Sequence, residues 1–179
     1  MKKFLIVVVL LVGGLWLYGR SLPREHTITS SITITAPVDT VFRVVRSIGN
    51  QPVWWSDVKS VRPLRGRRRE SWEQNMGGGA GLIAIEITTV NPGVGMTTTI
   101  ITPAESSDAT QDWGGTWTYR VTQTSSGTQI QITEDGWVDP PHMRIVMKLR
   151  GKYRTVDSYL SSLAAYFGEM TSPRHGSGT

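Results

Sequence analysis

The sequence predicts an α+β fold: a curved antiparallel sheet of about seven strands around a long C-terminal helix, with an N-terminal membrane helix in front. Three observations carry this reading. An uncharged apolar run follows the first residues. A strand with strict alternation leads through Pro37 into an amphipathic helix. A train of short β segments, punctuated by Gly, Pro and Asn, then ends on a helical apolar stripe. The length of 179 residues suits one domain of ordinary size and an anchor.

Lys2 and Lys3 precede the uncharged run from Phe4 to Gly19. As a helix it spans about 24 Å, short of the roughly 30 Å hydrocarbon core. Snorkelling by Lys2, Lys3 and Arg20 extends it, and Trp16 and Tyr18 suit the interface. No A-x-A-like cleavage site follows, so residues 1–19 read as an uncleaved signal anchor. The expectation is a single-pass transmembrane protein, a membrane partner through residues 4–19, and an extracytoplasmic domain. Residues 20–25, with Pro23, are a linker.

In residues 26–35, Ile28, Ser30, Ile32 and Ile34 share one face of a half-buried strand. Pro37 opens a helix carrying Val38, Val41, Phe42, Val45 and Ile48, which Gly49 and Asn50 end. A helical turn over Pro52 to Val58 holds Trp54 and Trp55. Strands are expected over 58–64, 69–76, 81–90, 94–102, 112–124 and 128–138. The breaks are Arg65-Gly66, Gly77-Gly78-Gly79, Asn91-Pro92-Gly93, the polar run after Pro103, and Ser125-Ser126-Gly127. Pro140-Pro141 stops the sheet. The last helix covers Thr155 to Phe167, with an earlier start near Met143 and a break at Gly151 as an alternative. Its stripe is Tyr153, Val156, Leu160, Leu163 and Phe167, with Ser158, Ser161 and Ser162 off it. The domain is thus 26–169, and residues 170–179 are a disordered tail.

Composition narrows the chemistry. There is no cysteine, so disulfides, thiolate metal sites and cysteine nucleophiles are excluded. His26, His142 and His175 show no metal-ligand spacing, and no metal or cofactor is expected. The net charge of +5 is concentrated in Arg62, Arg65, Arg67, Arg68 and Arg69. Such a run is ordinarily a solvated loop. Its functional alternative is anionic lipid contact through Arg65, Arg67, Arg68 and Arg69. No nucleic-acid motif accompanies it, so nucleic acid is not an expected partner.

Several segments resemble the START/Bet v 1-like superfamily (SRPBCC), in particular its bacterial polyketide cyclase/dehydrase-like branch. They are Ala36-Pro37-Val38-Asp39-Thr40-Val41-Phe42 after the first strand, Asn50 to Val58 with its tryptophan pair, Glu134-Asp135-Gly136, Pro141 with Arg144, and Tyr159 to Ala164 ending in Phe167-Gly168-Glu169. The resemblance implies a helix-grip fold with a hydrophobic cavity. It implies no universal catalytic set.

Tryptophan is the compositional oddity, and ligand pockets are lined by such residues. Trp113, Trp117 and Tyr119 share one strand face, and Ile130, Ile132, Glu134 and Gly136 share one on the next. Trp113, Trp117, Tyr119 and Glu134 are therefore the expected ligand-binding residues. Each tryptophan has a plainer reading as core, and Glu134 as a partner of Arg144 or Arg120. Glu134 and His142 are the catalytic candidates, the former because a carboxyl in an apolar pocket can move protons. The leading expectation is a membrane-anchored domain that binds a hydrophobic small molecule or lipid without catalysis. The alternatives are a polyketide cyclase/dehydrase-like enzyme in the same cavity, or an interaction module with a collapsed interior.

Overall fold

The computed structural model describes residues 2–77, 81–101 and 112–176. Gly78 and Gly79 of the glycine turn, and the run after Pro103, lie outside the described residues. The elements are α1 (Lys2–Ser21), β1 (Glu25–Ile34), α2 (Val38–Arg46), a 3-10 turn (Ile48–Asn50), α3 (Gln51–Trp54), β2 (Ser60–Pro63), β3 (Ser71–Asn75), β4 (Leu82–Asn91), β5 (Gly95–Ile101), β6 (Trp113–Thr124), β7 (Gly127–Val138), α4 (Pro141–Arg150), α5 (Arg154–Tyr166) and β8 (Arg174–His175). The strands form one antiparallel sheet in the order β2-β3-β4-β5-β6-β7-β1-β8. The first strand thus closes against the last long one, as a grip requires.

Alternation sets the inner face. On β1, Ile28, Ser30, Ile32 and Ile34 are buried. Across the ladder Ile32 faces Ile130, Ser30 faces Ile132, and Ile28 faces Glu134. Helix α2 adds Val41, Phe42 and Val45 to the same core. Helix α5 adds Val156, Tyr159, Leu160, Leu163 and Ala164. The helix expected over Thr155 to Phe167 is α5, and the alternative with an earlier start and a break at Gly151 is also met, by α4. Gly151, at φ +85°, takes a left-handed turn that ends α4 before α5 begins. Ser158 is not a free surface residue. It donates to Asp57 at 2.6 Å and accepts from Trp55 Nε1 at 3.3 Å. The expected tail contains β8, which pairs with β1 at Ser30 and Ser31.

The N-terminal segment is corrected. Helix α1 is present, but among the described residues no helix is long and apolar enough to cross a membrane. Its uncharged stretch reaches only about 24 Å against roughly 30 Å of hydrocarbon. The last turn is instead built against α4. A Cβ on Gly19 would meet the Pro141 carbonyl oxygen at 2.5 Å, and Lys148 donates to the Tyr18 hydroxyl at 2.8 Å. The transmembrane helix, signal anchor, single-pass topology and membrane partner through residues 4–19 are withdrawn, and the extracytoplasmic placement loses its basis.

The arginine run is also reassigned in part. Arg62 stands opposite Glu73 across β2 and β3 and donates to its Oε2 at 2.9 Å. Arg69 pairs with Glu86 at 3.1 Å. Two of these charges therefore serve the sheet's own carboxylates, and with no membrane-spanning helix among the described residues the anionic lipid contact through Arg65, Arg67, Arg68 and Arg69 is withdrawn. The Arg62 guanidinium holds the Glu73 carboxyl below its usual range. A depressed carboxyl stabilises the fold above its unfolded pKa, about 4.3, and this contribution disappears as pH falls through the folded value. Glu73→Gln is therefore expected to flatten the loss of stability between about pH 6 and pH 3, measured by urea melts across that range.

Candidate functional site

Period-two geometry brings Trp117, Tyr119 and Glu134 together, and sets Trp113 on the same face four residues along, opposite Val138 and apart from them. Strand β6 places Trp113, Trp117 and Tyr119 on the inner face, and β7 places Glu134 beside them, with Trp117 directly opposite Glu134. Ile130 and Ile132 are fully buried, the Glu134 side chain is 20% exposed, and Gly136 and Val138 beyond it are buried again. Trp113 and Trp117 are half-buried. Glu134 is thus a partly exposed carboxylate on an otherwise buried strand face. Trp137 lies on the other face, where the Arg24 guanidinium stacks over it at 5.5 Å.

Glu134 does not pair with Arg144 or Arg120. Arg144 is spent on the carbonyls of Val138 and Asp139, at 2.8 and 2.7 Å. Instead, Glu134 Oε1 lies 3.1 Å from His26 Nε2, and Oε2 accepts from Trp117 Nε1 at 2.9 Å. Each carboxylate oxygen keeps a further lone pair. His26 comes from β1, where its Cα partner is Gly136. A Cβ at Gly136 would stand 2.5 Å from His26 Cε1, so only glycine leaves room for the imidazole in this pose. Gly136→Ala is expected to displace His26 from Glu134, seen as a shift of the His26 ring resonances in NMR spectra with the fold retained.

Behind the carboxylate lies a cage of rings. Trp55 and Trp117 lie 6.0 Å apart, as do Trp117 and Tyr119. Trp54 and Tyr159 meet edge to face at 4.9 Å. Burial pushes the Tyr119 phenol up, and the nearby Glu134 charge adds to the shift. Burial also holds the Tyr159 phenol well above its usual range. Both hydroxyls therefore remain donors at ordinary pH. Three buried polar atoms lack a hydrogen-bond partner among the described residues: His26 Nδ1, Trp54 Nε1 and Tyr159 Oη. A recess of about 150 Å³ also opens where the β4–β5 hairpin meets β6, but it is smaller than the usual ligand pocket.

His142 is not part of this cluster. It is exposed on the first turn of α4. His26 and Tyr159 are the additions that sequence reasoning missed. Tyr159 was within reach, since Val156, Tyr159, Leu160 and Leu163 follow helical spacing. The His26 contact needed the strand register.

A family model described as polyketide cyclase / dehydrase and lipid transport matches residues 25–168. Among solved structures, the Zhui aromatase/cyclase from Streptomyces sp. R1128 aligns with a TM-score of 0.61 at 13% identity, covering 80% of this chain and 94% of that one. A START superfamily protein from Mycobacterium smegmatis aligns with a TM-score of 0.61 at 14% identity, covering 82% and 99%. The di-domain ARO/CYC StfQ from the steffimycin biosynthetic pathway also has a TM-score of 0.61, at 13% identity, covering 83% and 52%. No curated protein matches. Likenesses at this identity establish the fold. The expectation of a membrane-anchored, non-catalytic binder is nevertheless overturned. Among the described residues no helix is long and apolar enough to cross a membrane, and the matching family is described by cyclase and dehydrase activity as well as by lipid transport.

Proposed function

We propose, from the premise that this chain belongs to the polyketide cyclase / dehydrase and lipid transport family of the START/Bet v 1-like superfamily, that it is an enzyme of the cyclase/dehydrase type. Its substrate class is a hydrophobic, polyketide-like carbonyl compound taken into the grip. The observation that carries the reading is the Glu134 carboxylate, partly exposed and held between His26 and Trp117 beside an aromatic interior. Fold alone does not assign chemistry; this carboxylate does.

The reaction follows from what a fixed carboxylate can do beside a ketone. Glu134 removes the proton α to the carbonyl, and the C–H electron pair forms an enolate. The enolate re-forms its carbonyl and expels a β-hydroxyl, which leaves as water with the proton returned by Glu134. The product is a conjugated double bond, and the carboxylate is regenerated. His26 and Trp117 fix the carboxylate's orientation, which keeps it within reach of one proton rather than several. Trp113 and Tyr119 would bound the ring system of the substrate.

The test uses a phenyl-substituted β-hydroxyketone, whose loss of water gives an enone read by ultraviolet absorbance. The protein is expected to accelerate enone formation, and Glu134→Gln to remove the acceleration. Equal acceleration by both proteins would sink this assignment.

A further inference from the structure

Tyr159 occupies the centre of the ring cage. Its ring packs against Trp54 and Trp55 at 4.9 Å and against Trp117 and Tyr119 at 5.7 Å. It is 0% exposed, and its hydroxyl has no hydrogen-bond partner among the described residues. Such an orphan is unusual, because a buried donor without an acceptor destabilises a fold that phenylalanine would fill equally well. The Tyr119 hydroxyl is not in the same position, since it is hydrogen-bonded to Thr98. Trp117 ties the two features together: its ring packs on Tyr159 while its Nε1 donates to Glu134.

An unpartnered hydroxyl in an apolar, aromatic interior, with Trp54 Nε1 of the neighbouring ring unpartnered as well, calls for an acceptor on an apolar, aromatic guest. A ketone oxygen is such an acceptor, whereas a charged group would lose its hydration with no counter-ion beside it. We infer that the Tyr159 hydroxyl is the carbonyl-binding donor of the interior, and that it selects aryl ketones over hydrocarbons of the same shape. This deepens the proposed enzymatic reading and rests on it for its chemistry: a donor on the carbonyl oxygen would also receive the negative charge that develops as Glu134 takes the α-proton. The binding claim stands apart from that chemistry and is tested without turnover.

The probes are benzophenone and diphenylmethane, which share a skeleton and differ at the carbonyl. The full chain is expected to bind benzophenone roughly three- to tenfold more tightly in equilibrium dialysis. Tyr159→Phe is expected to abolish that preference while diphenylmethane affinity stays the same. Its melting temperature without ligand should equal or exceed that of the parent, because the hydroxyl it loses has no partner. In the parent protein the bound benzophenone carbonyl stretch should fall below its frequency in alkane, a measurement that requires no variant. Retention of the preference in Tyr159→Phe, an unshifted carbonyl stretch, or failure of both probes to bind would each overturn the inference. A ketone preference that depends on Tyr159, in a protein without β-hydroxyketone turnover, would keep the donor site and overturn the enzyme reading alone.

Discussion

Leu160→Ala is expected to lower the stability of the domain by about 2–5 kcal/mol. Leu160 is fully buried on the face of α5 that lies against the sheet. Removing its branched end takes apolar surface out of contact and leaves a space the neighbours cannot close. The sheet in front is fixed by its ladders, and Tyr159 beside it is wedged among four rings. Leu163→Ala, one turn on and equally buried, should fall in the same range. Ser161 is exposed on the same helix, and Ser161→Ala should stay within about 0.5 kcal/mol. Urea melts of the three variants decide the matter. Equal losses at Leu160 and Ser161 would mean that α5 grips the sheet by a different face.

The sheet was legible because its signals are local. The alternation over Ile28 to Ile34 and the turn residues between strands each act within a few positions, and the observed strands begin and end close to where those signals put them. The shared face of Trp117, Tyr119 and Glu134 was legible for the same reason, since side chains along a strand repeat every two residues. The link between His26 and Glu134 was not. These residues are 108 positions apart, and only the register that sets Ile28 opposite Glu134 brings the imidazole to the carboxylate. No property of His26 in the sequence separates it from His142 or His175. Tyr159 was hidden differently: the stripe drawn through Tyr153 and Phe167 passed one position to its side, yet both of those residues are only half-buried. The N-terminal segment misled because its shortfall in length, plain in the sequence, was offset against snorkelling by Lys2, Lys3 and Arg20. Phe4 to Gly19 is apolar enough for a membrane span but too short for one, and its last turn packs on α4 instead.

Glu134→Gln is expected to lower kcat for dehydration of a phenyl-substituted β-hydroxyketone by about a hundred- to ten-thousandfold, the usual range for a positioned general base. The exchange is nearly isosteric. The glutamine carbonyl oxygen can still accept from Trp117 Nε1, so the aromatic wall should keep its place, and melting should change little. KM should stay close to the parent value, because the substrate is held by rings and by its carbonyl rather than by the carboxylate. A fall in kcat with KM preserved is the signature of a group that acts in the transition state alone. Glu134→Asp tests the geometry. It keeps the acid but withdraws it by one methylene from His26 Nε2 and Trp117 Nε1, which now hold it at 3.1 and 2.9 Å. Its kcat should therefore lie between those of the parent and Glu134→Gln. Steady-state kinetics of the three proteins separate the outcomes. If kcat survives in Glu134→Gln, the proton is removed by another group and the carboxylate is only a brace between β1 and β6. If kcat and KM change together in both variants, Glu134 shapes the entrance rather than the reaction.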